Sequence, residues 1–386
     1  MRSLRFVAYA LGLSFVFTGA AQALPIPAPP QFQAKSYVLM DANSGQVLAA
    51  SNPDLQTEPA SLTKLMTVYV VFNALKDGVI SLDTPVTISV KAWRMGGSRM
   101  FANVGSQVSV ENLLQGVVVQ SGNDAAVALA ERVGGSEDSF VGLMNEYAKR
   151  LGMQNTHYVD ASGLTNNPAH HTSARDLALL SQAIINQFPD YYRRFFSEKS
   201  FTWDRITQPN RVSLLFTDPS VDGLKTGFTD SAGYCMVVSA LRDGMRLIAV
   251  VMGTPSEKAR AIDDEALLNY GFNFYATHRL YAAGAAVTQL RAWKGAERRV
   301  PVGVLHDLYV TVPKGTYKQL TASLQTPSGL VAPIAARTPA GQVEVSYDGK
   351  TLLDAPLYTL HAVPEGNIFR RMLDSMHLWF SKKDNG

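Results

Sequence analysis

A serine and a lysine stand three positions apart in the segment EPASLTKLMTVYV, at Ser61 and Lys64. Apolar residues recur at helical spacing after them, and Pro59 precedes that pattern, so we expect both residues in the first turn of a helix. Positions i and i+3 of a helix face the same way, which brings the lysine amine beside the serine hydroxyl. The spacing therefore predicts a nucleophile with a base next to it.

A lysine can act as that base only when it is uncharged. Its pKa must then be lowered by partial burial and by a neighbouring cation, so the chain should hold a second lysine close in space. The same spacing also arises by chance on helix surfaces, where the lysine is solvated and no chemistry follows. Other motifs have to decide between these interpretations.

Two later segments supply groups that suit serine acyl transfer. SGN at residues 121–123 offers a hydroxyl and a carboxamide where an apolar helical pattern is interrupted. KTG at residues 225–227 offers a cation, a hydroxyl and a bare backbone in a strand-like run. Together with the first motif, and in this order, they form the acyl-enzyme signature of penicillin-binding proteins and serine β-lactamases.

From about residue 35 to its C-terminus, the chain resembles low-molecular-mass penicillin-binding proteins of the D-alanyl-D-alanine carboxypeptidase type. The segments PASLTKLM, SGNDA, VDGLKTGFTDSAGY and RLIAVVMG carry the resemblance. It implies a serine enzyme that removes the terminal D-alanine from peptidoglycan stem pentapeptides and that is acylated by β-lactam antibiotics. No cofactor is implied.

The resemblance also implies roles for single residues. Ser61 would attack the carbonyl of the penultimate D-alanine, Lys64 would take its proton, and Ser121 would pass a proton to the departing amine. Asn123 would hold the substrate backbone and orient Lys64. Lys225 would supply the positive field that keeps Lys64 uncharged.

Substrate binding would fall to the strand that carries the third motif. Thr226 would offer its hydroxyl to the terminal carboxylate, and Gly227 would leave room for a peptide to lie along the strand edge. The N–H groups of Ser61 and Phe228 would meet the oxyanion. The family often has histidine where Phe228 stands, so the effect of this side chain on specificity is open.

Two arginines are candidates for recognising the free carboxylate of the substrate, because the guanidinium fork can bind a carboxylate through two hydrogen bonds. Arg211 in QPNRVSLL and Arg260 in SEKARAIDDEALL match positions that the family uses near this pocket. Each can also be read as an ordinary surface arginine, since neither surrounding segment is specific.

The pattern of elements indicates an α+β fold. Strands are predicted in SYVLMDANSGQVLAA and again in GYCMVVSALRDGMRLIAVVMG, with a helical insertion between them. Pairing of the first and last strands in one antiparallel sheet gives this class. By the resemblance, residues 24–277 form a β-lactamase/transpeptidase-like catalytic domain. Residues 278–362 alternate in short runs and predict a small all-β domain without catalytic groups.

The C-terminal segment, residues 363–386, is predicted to form an amphipathic helix. It has basic flanks and is too polar to span a bilayer, which favours an anchor at the membrane surface over a helix packed on the β domain. Its apolar face consists of Ile368, Phe369, Met372, Leu373, Met376, Trp379 and Phe380.

Residues 1–23 have the pattern of a cleaved secretory signal, with two arginines, an apolar run and small residues at its end. The apolar run is shorter than the roughly 20 residues of a spanning helix. We therefore expect the protein at the periplasmic face of the cytoplasmic membrane. Loss of the two arginines lowers the formal charge from +3 to +1, which argues against a nucleic-acid partner.

Cysteine and histidine usage points away from disulfide and metal chemistry. Cys235 is the only cysteine and lies in an apolar run, so it is interpreted as a core residue rather than a reactive thiol. The histidines show no metal-ligand spacing, and the adjacent His170 and His171 would diverge on any regular element. A metal site is not expected.

Three alternatives stay open. An endopeptidase that acts on peptide cross-links would use the same residues. A serine β-lactamase would add a glutamate that activates water; Glu265–Asn269 matches that segment superficially but follows the KTG motif instead of preceding it. A non-catalytic peptidoglycan-binding protein of this fold would be expected to lack the nucleophile or the lysine, and both are present.

Overall fold

The computed structural model describes residues 26–383, and side chains as far as Trp379; the predicted signal at residues 1–23 lies outside this range. The strands before residue 275 are β1 (Ser36–Asp41), β2 (Val47–Ser51), β3 (Pro85–Thr87), β4 (Gln107–Ser109), β5 (Ser200–Trp203), β6 (Ile206–Pro209), β7 (Val221–Thr229), β8 (Gly233–Arg242) and β9 (Met245–Thr254). The helices of this region are α1 (Thr63–Lys76), α2 (Val90–Trp93), α3 (Val110–Val119), α4 (Asn123–Gly134), α5 (Glu137–Arg150), α6 (Ala174–Gln187), α7 (Pro189–Phe195), α8 (Leu214–Thr217) and α9 (Glu257–Phe274).

A five-stranded antiparallel sheet organises this region, in the order β2-β1-β9-β8-β7. The first strand of the chain lies beside β9, with Val38 opposite Val250, and the helical insertion separates the two in sequence. The expected α+β class is confirmed. Ser121 and Gly122 of the SGN motif lie between α3 and α4, as the interrupted apolar pattern predicted, and Asn123 begins α4. Cys235 is buried in β8.

Helix α1 runs through the middle of the protein. Every residue from Thr63 to Phe72 is buried, because the helix is apolar on all sides and is surrounded by α3, α4, α5 and α6. Phe72 lies among aromatic rings, including Phe188 at 5.6 Å between ring centroids. A lysine at the start of this helix is therefore carried into the protein interior.

Helix α9 covers the other face of the sheet, and glycine permits its close approach. A Cβ atom at Gly271 would lie 2.5 Å from Leu247 Cδ1 and 2.9 Å from Leu39 Cδ2, which are side chains of β9 and β1. The buried residues Leu267 and Leu268 complete this contact. The helix that carries Arg260 is thus held directly on the central sheet.

A second, all-β unit follows α9 and has its own core of buried valine, leucine and alanine side chains. One pair, β10 with β13, bonds to the first domain: Thr277 Oγ1 donates to Asp41 Oδ2 at 2.5 Å. The predicted domain boundary at residue 277 lies within β10. The strands of this unit are β10 (Tyr275–Tyr281), β11 (Ala286–Trp293), β12 (Arg299–Gly303), β13 (Leu308–Pro313), β14 (Thr321–Gln325), β15 (Gly329–Val331), β16 (Pro339–Tyr347) and β17 (Lys350–Thr359).

The chain ends in helix α10 (Ile368–Lys383), inside the segment predicted to be helical. It contacts the β unit through Asp374, whose carboxylate accepts a hydrogen bond from the Lys294 N–H at 2.6 Å. Within the described part of the chain, no helix combines the length and apolar composition needed to cross a bilayer.

The close approach of α9 to the sheet gives a stability prediction. Gly271→Ala should lower the free energy of unfolding by about 1–3 kcal/mol, since the added methyl group overlaps two leucines of the core. Gly142→Ala is the matched control, because Gly142 is exposed within α5 and an added Cβ meets nothing within 4 Å. The control should instead be more stable by about 0.5–1 kcal/mol. Urea unfolding measures both, and equal effects would contradict the packing described.

Candidate active site

Ser61 lies in a tight 3-10 turn, Ala60–Leu62, just ahead of α1 rather than in its first turn. Ala60 has a positive φ of 48°, a conformation that L-residues rarely adopt and that costs of order 1–3 kcal/mol. Two contacts hold the turn: Thr63 Oγ1 donates to the Ala60 carbonyl at 2.8 Å, and Gly163 packs so closely that a Cβ there would overlap this same carbonyl. The Ser61 side chain, the predicted nucleophile, therefore projects from a rigid, strained turn; residues 60–62 are called the nucleophile turn below.

The Lys64 amine is fully buried and is surrounded by three oxygen atoms. Its Nζ lies 3.0 Å from Ser61 Oγ, 2.6 Å from Asn123 Oδ1 and 2.6 Å from the Ser162 carbonyl oxygen. The three partners come from the turn before α1, the start of α4 and a loop after α5. The fold thus assembles this site from segments far apart in sequence.

These partners determine which way a proton can move. The amide of Asn123 is oriented by its Nδ2, which donates to the Gly96 carbonyl at 2.7 Å, so its oxygen faces Lys64. The oxygens of Asn123 and Ser162 can only accept hydrogen bonds. An uncharged amine has two N–H groups for these two acceptors, and its lone pair is then left for the hydroxyl proton of Ser61.

The environment favours that uncharged amine. Burial, and to a smaller extent the positive charge of Arg211, lower the pKa of Lys64 to about 7, against the opposing effects of Asp160 and Asp124. Burial also lowers the pKa of Lys225, together with the charges of Lys64, Arg211 and Arg260. The two lysines are thus close enough to interact, but desolvation rather than a second cation is the main influence on Lys64.

The SGN segment forms the side of the site opposite the sheet. Ser121 has a positive φ of 62°, and its buried Oγ has no hydrogen-bond partner among the described residues. Asp124 follows directly and accepts hydrogen bonds from the N–H groups of residues 100–102. These bonds fix the preceding stretch, which brings Gly97 and Ser98 to the cavity.

Strand β7 forms the opposite wall and carries the KTG motif. Lys225 is buried and donates to the Thr226 carbonyl at 3.1 Å. Gly227 packs against the nucleophile turn, where a Cβ would meet the Pro59 carbonyl oxygen at 2.9 Å. The missing side chain thus lets the strand approach Ser61, a role that the sequence did not indicate. Phe228 is exposed and packs on the Tyr234 ring at 4.3 Å.

A cavity of ≈ 480 Å³ lies between these walls and opens to solvent. Ser61, Ser121 and Asn123 lie on its wall. The buried Arg260, which is paired with Glu257 at 3.1 Å, and the exposed Arg211 also line it. Among the described residues Arg211 has no acceptor. The structure thus brings both sequence-predicted arginines to one cavity, next to Thr226, Gly227 and Phe228.

Sequence reasoning missed the loop at residues 160–163 and the histidine behind it. The Ser162 and Gly163 N–H groups both donate to Asp160 Oδ1 at 2.6 Å, which shapes the loop that holds Lys64. Ser162 and Gly163 contribute to the site through backbone atoms, so no side-chain motif in the sequence indicated this loop. Leu164 continues this loop into the cavity wall.

His170 is buried behind the nucleophile turn, whereas the sequence suggested a histidine pair of little consequence. The Val159 N–H donates to His170 Nδ1 at 3.0 Å, so the proton of the neutral ring is on Nε2, which lies 2.7 Å from Thr63 Oγ1. Burial lowers the pKa of His170 and favours this neutral form. A chain of hydrogen bonds thus runs from the loop through His170 and Thr63 to the Ala60 carbonyl.

Comparison with known proteins agrees with this geometry. The family model described as D-alanyl-D-alanine carboxypeptidase matches residues 24–256, and the one described as penicillin-binding protein 5, C-terminal domain, matches residues 275–365. The chain belongs to the D-alanyl-D-alanine carboxypeptidase family. The resemblance noted in the sequence is confirmed, and both predicted folded units have counterparts in it.

Relatives in this family extend over nearly the whole chain. The D-alanyl-D-alanine carboxypeptidase DacA of Escherichia coli is 42% identical over 98% of this chain and 97% of its own length. The crystal structure of penicillin binding protein 5 from Haemophilus influenzae has 42% identity and a TM-score of 0.81, and covers 88% of this chain and 100% of its own. Penicillin-binding protein D2 from Listeria monocytogenes, solved in its ampicillin-bound form, has 32% identity and a TM-score of 0.59 over 64% of this chain and 100% of its own.

The position of His170 yields a prediction about the nucleophile turn. His170→Ala should lower the free energy of unfolding by about 1–3 kcal/mol, because the buried Thr63 hydroxyl and Val159 N–H lose their partner. Acylation of the remaining folded protein by a fluorescent penicillin should also slow, since the support of the Ala60 carbonyl is weakened. His171→Ala is the control and should change stability by less than about 0.5 kcal/mol. An unchanged acylation rate in His170→Ala would contradict the connection.

Proposed function

We propose that this protein is a serine D-alanyl-D-alanine carboxypeptidase that removes the terminal D-alanine from peptidoglycan stem pentapeptides. The observation that carries the proposal is the buried Lys64 amine, 3.0 Å from Ser61 Oγ and otherwise surrounded by acceptors. The family and the names of its relatives support the substrate class.

Acylation begins when Ser61 Oγ bonds to the carbonyl carbon of the penultimate D-alanine. The hydroxyl proton passes to the lone pair of Lys64. Negative charge develops on the carbonyl oxygen, which the N–H groups of Ser61 and Phe228 are proposed to bind, because Gly227 holds β7 against the nucleophile turn. The geometry of the turn thus serves both the nucleophile and the oxyanion.

The carbon–nitrogen bond then breaks, and the leaving D-alanine takes a proton on its amine from the Ser121 hydroxyl. Lys64 then passes the proton it gained to the Ser121 oxygen, directly or through Lys225, which restores the Ser121 hydroxyl and the uncharged amine. Water next attacks the ester carbon, gives a proton to Lys64, and Ser61 leaves with that proton. The first four residues of the stem peptide are released, and the enzyme is restored.

The terminal carboxylate of the substrate is proposed to lie between Thr226, Arg211 and Arg260. All three line the cavity, and Arg211 has no protein acceptor in the described part of the chain. Asn123 contributes its carboxamide to the substrate backbone and holds Lys64. The two guanidinium groups beside Thr226 suit the free terminal carboxylate that the substrate of a carboxypeptidase carries.

β-Lactam antibiotics are proposed to acylate the same serine, as the ampicillin-bound relative suggests. A β-lactamase would need a carboxylate placed to activate water. The only glutamate on the described cavity wall, Glu257, is paired with Arg260. Glu265, in the segment that resembled the β-lactamase glutamate, is exposed on α9 and does not line the cavity.

The identity of the nucleophile can be tested by mass spectrometry. Ser61→Ala should fold normally, form no covalent adduct with penicillin and release no D-alanine from a stem pentapeptide. Wild-type protein should release D-alanine while turning over a chromogenic cephalosporin only slowly. An adduct on another residue would overturn the site, and cephalosporin turnover faster than D-alanine release would favour a β-lactamase.

The pH dependence of acylation follows from the pKa of Lys64, lowered to about 7. Lys64 is a base only without its proton, so the acylation rate should rise with pH and reach half its plateau near that value. Stopped-flow measurements with a fluorescent penicillin give the profile. Two outcomes would contradict Lys64 as a base with this lowered pKa. One is a rate that does not change between about pH 5.5 and 8.5, and the other is a rate that still rises about tenfold per pH unit at about pH 9.

We further infer that α10 attaches the exported protein to the periplasmic face of the cytoplasmic membrane. The helix contacts the β unit through the polar residues Arg370 and Asp374, while its apolar face is left in solvent. An apolar stripe on a basic helix is the composition of an interfacial anchor. The stripe consists of Ile368, Phe369, Met372, Leu373, Met376 and Trp379, each more than half exposed.

Removal of the segment after Pro364 should release the protein from membranes. The matched point variant is Met372→Ser with Met376→Ser, which keeps the contacts of Arg370 and Asp374 but makes the exposed face polar. Fractionation after expression with the signal segment measures both. An unchanged membrane fraction in the two variants would exclude α10 as the anchor.

A further inference from the structure

A second cavity, of ≈ 840 Å³, lies between α10 and the strands β11 and β12. Its wall is unusually basic, with four arginines against the single carboxylate of Asp374. The role of the anchor helix does not account for this charge, because three of the arginines belong to the β unit. They are Arg291, Arg298 and Arg299, and Arg370 of α10 is the fourth.

The one carboxylate in the cavity is already engaged. Asp374 Oδ1 lies 3.4 Å from Arg291 Nη2, and Oδ2 accepts from the Lys294 N–H. Arg370 donates to the Ala296 carbonyl at 2.9 Å. Within the described part of the chain, the guanidinium groups of Arg298 and Arg299 have no protein acceptor, so two positive charges on the cavity wall are left without compensation.

The register of the strands brings two of these exposed arginines together. Arg291 and Arg299 are directly opposite each other in the β11–β12 pair, where like charges are destabilising. The guanidinium group of Arg291 stacks on the Trp293 ring, with its central carbon 3.7 Å from the ring centroid. An anion bound between the strands and α10 would remove the repulsion, which gives the arrangement a physical reason.

The cavity also adjoins the apolar face of α10. Phe369 and Leu373 line it and are 76% and 56% exposed, respectively. An anion bound by the arginines would therefore lie beside side chains proposed to enter the bilayer. A lipid headgroup phosphate is an anion at that depth, and the planar guanidinium fork suits phosphate.

We propose that this cavity binds the phosphate headgroup of an anionic phospholipid, so that membrane attachment selects for anionic lipid. The inference rests on the proposed attachment through α10 and adds a specific headgroup site on the β unit. In this arrangement β11 and β12 face the membrane together with the helix. The β unit then has a binding role of its own.

The test is binding of the chain from residue 24 to vesicles, measured by flotation. Phosphatidylcholine vesicles are compared with vesicles of equal parts phosphatidylcholine and phosphatidylglycerol. Arg298→Gln with Arg299→Gln should reduce binding to the anionic vesicles roughly 30-fold, because two charges near the surface are lost. Binding to the neutral vesicles should not change, since the apolar face is intact.

The control is Lys318→Gln with Lys350→Gln, which removes the same charge from exposed positions of the β unit that do not line the cavity. It should reduce binding to anionic vesicles by less than about 3-fold, if attraction is local to the cavity. If both double variants lose the same amount of binding to anionic vesicles, the headgroup site is refuted. Binding would then come from general attraction between a basic surface and anionic lipid.

The outcomes separate this inference from the attachment on which it rests. If the wild-type protein binds neither kind of vesicle, attachment through α10 fails. If it binds both kinds equally, attachment holds and the headgroup site is refuted. The headgroup site is also refuted if the protein binds inorganic phosphate in equilibrium dialysis but binds the two kinds of vesicle equally. The ligand of the cavity would then be free phosphate and not a lipid headgroup.

Discussion

The burial of one amine among three oxygens is the constraint on which the rest of the catalytic domain depends. Lys64 sits at the start of a helix that is apolar on all sides, so folding takes its amine out of water. The charged form is then disfavoured, and the partners at Asn123 and Ser162 use the two N–H groups of the neutral form. What is left is a lone pair directed at the Ser61 hydroxyl. A buried amine beside the Ser61 hydroxyl is thus a consequence of where the helix lies.

Much of the surrounding architecture can be understood as holding that amine and hydroxyl together. The strained conformation of Ala60 is supported by Thr63, His170 and the close packing of Gly163. Gly227 brings the edge of the sheet against the same turn. Strain at a nucleophile persists only where neighbours over-determine it, and here those neighbours come from three separate parts of the chain.

The sequence predicted those features that depend on the type and spacing of side chains. The three motifs, the antiparallel sheet with its helical insertion and the apolar stripe of α10 are periodic or compositional signals. It did not predict the Ser162 carbonyl beside Lys64, because a backbone acceptor has no side-chain signature. It also gave no sign that Gly227 packs against the nucleophile turn, since that turn lies far away in sequence. The docking of α10 through Asp374 uses the backbone N–H of Lys294, just after β11, and so it also has no side-chain signature.

The most direct test of this account is an NMR titration of Lys64 itself, in protein labelled with ¹³C- and ¹⁵N-lysine and assigned by comparison with Lys64→Arg. The account predicts that the side-chain resonances of Lys64 titrate near pH 7, in the folded protein without substrate. A titration above pH 9.5, close to that of a solvated lysine (about 10.4), would mean that the amine is charged at neutral pH, and would contradict its role as the base.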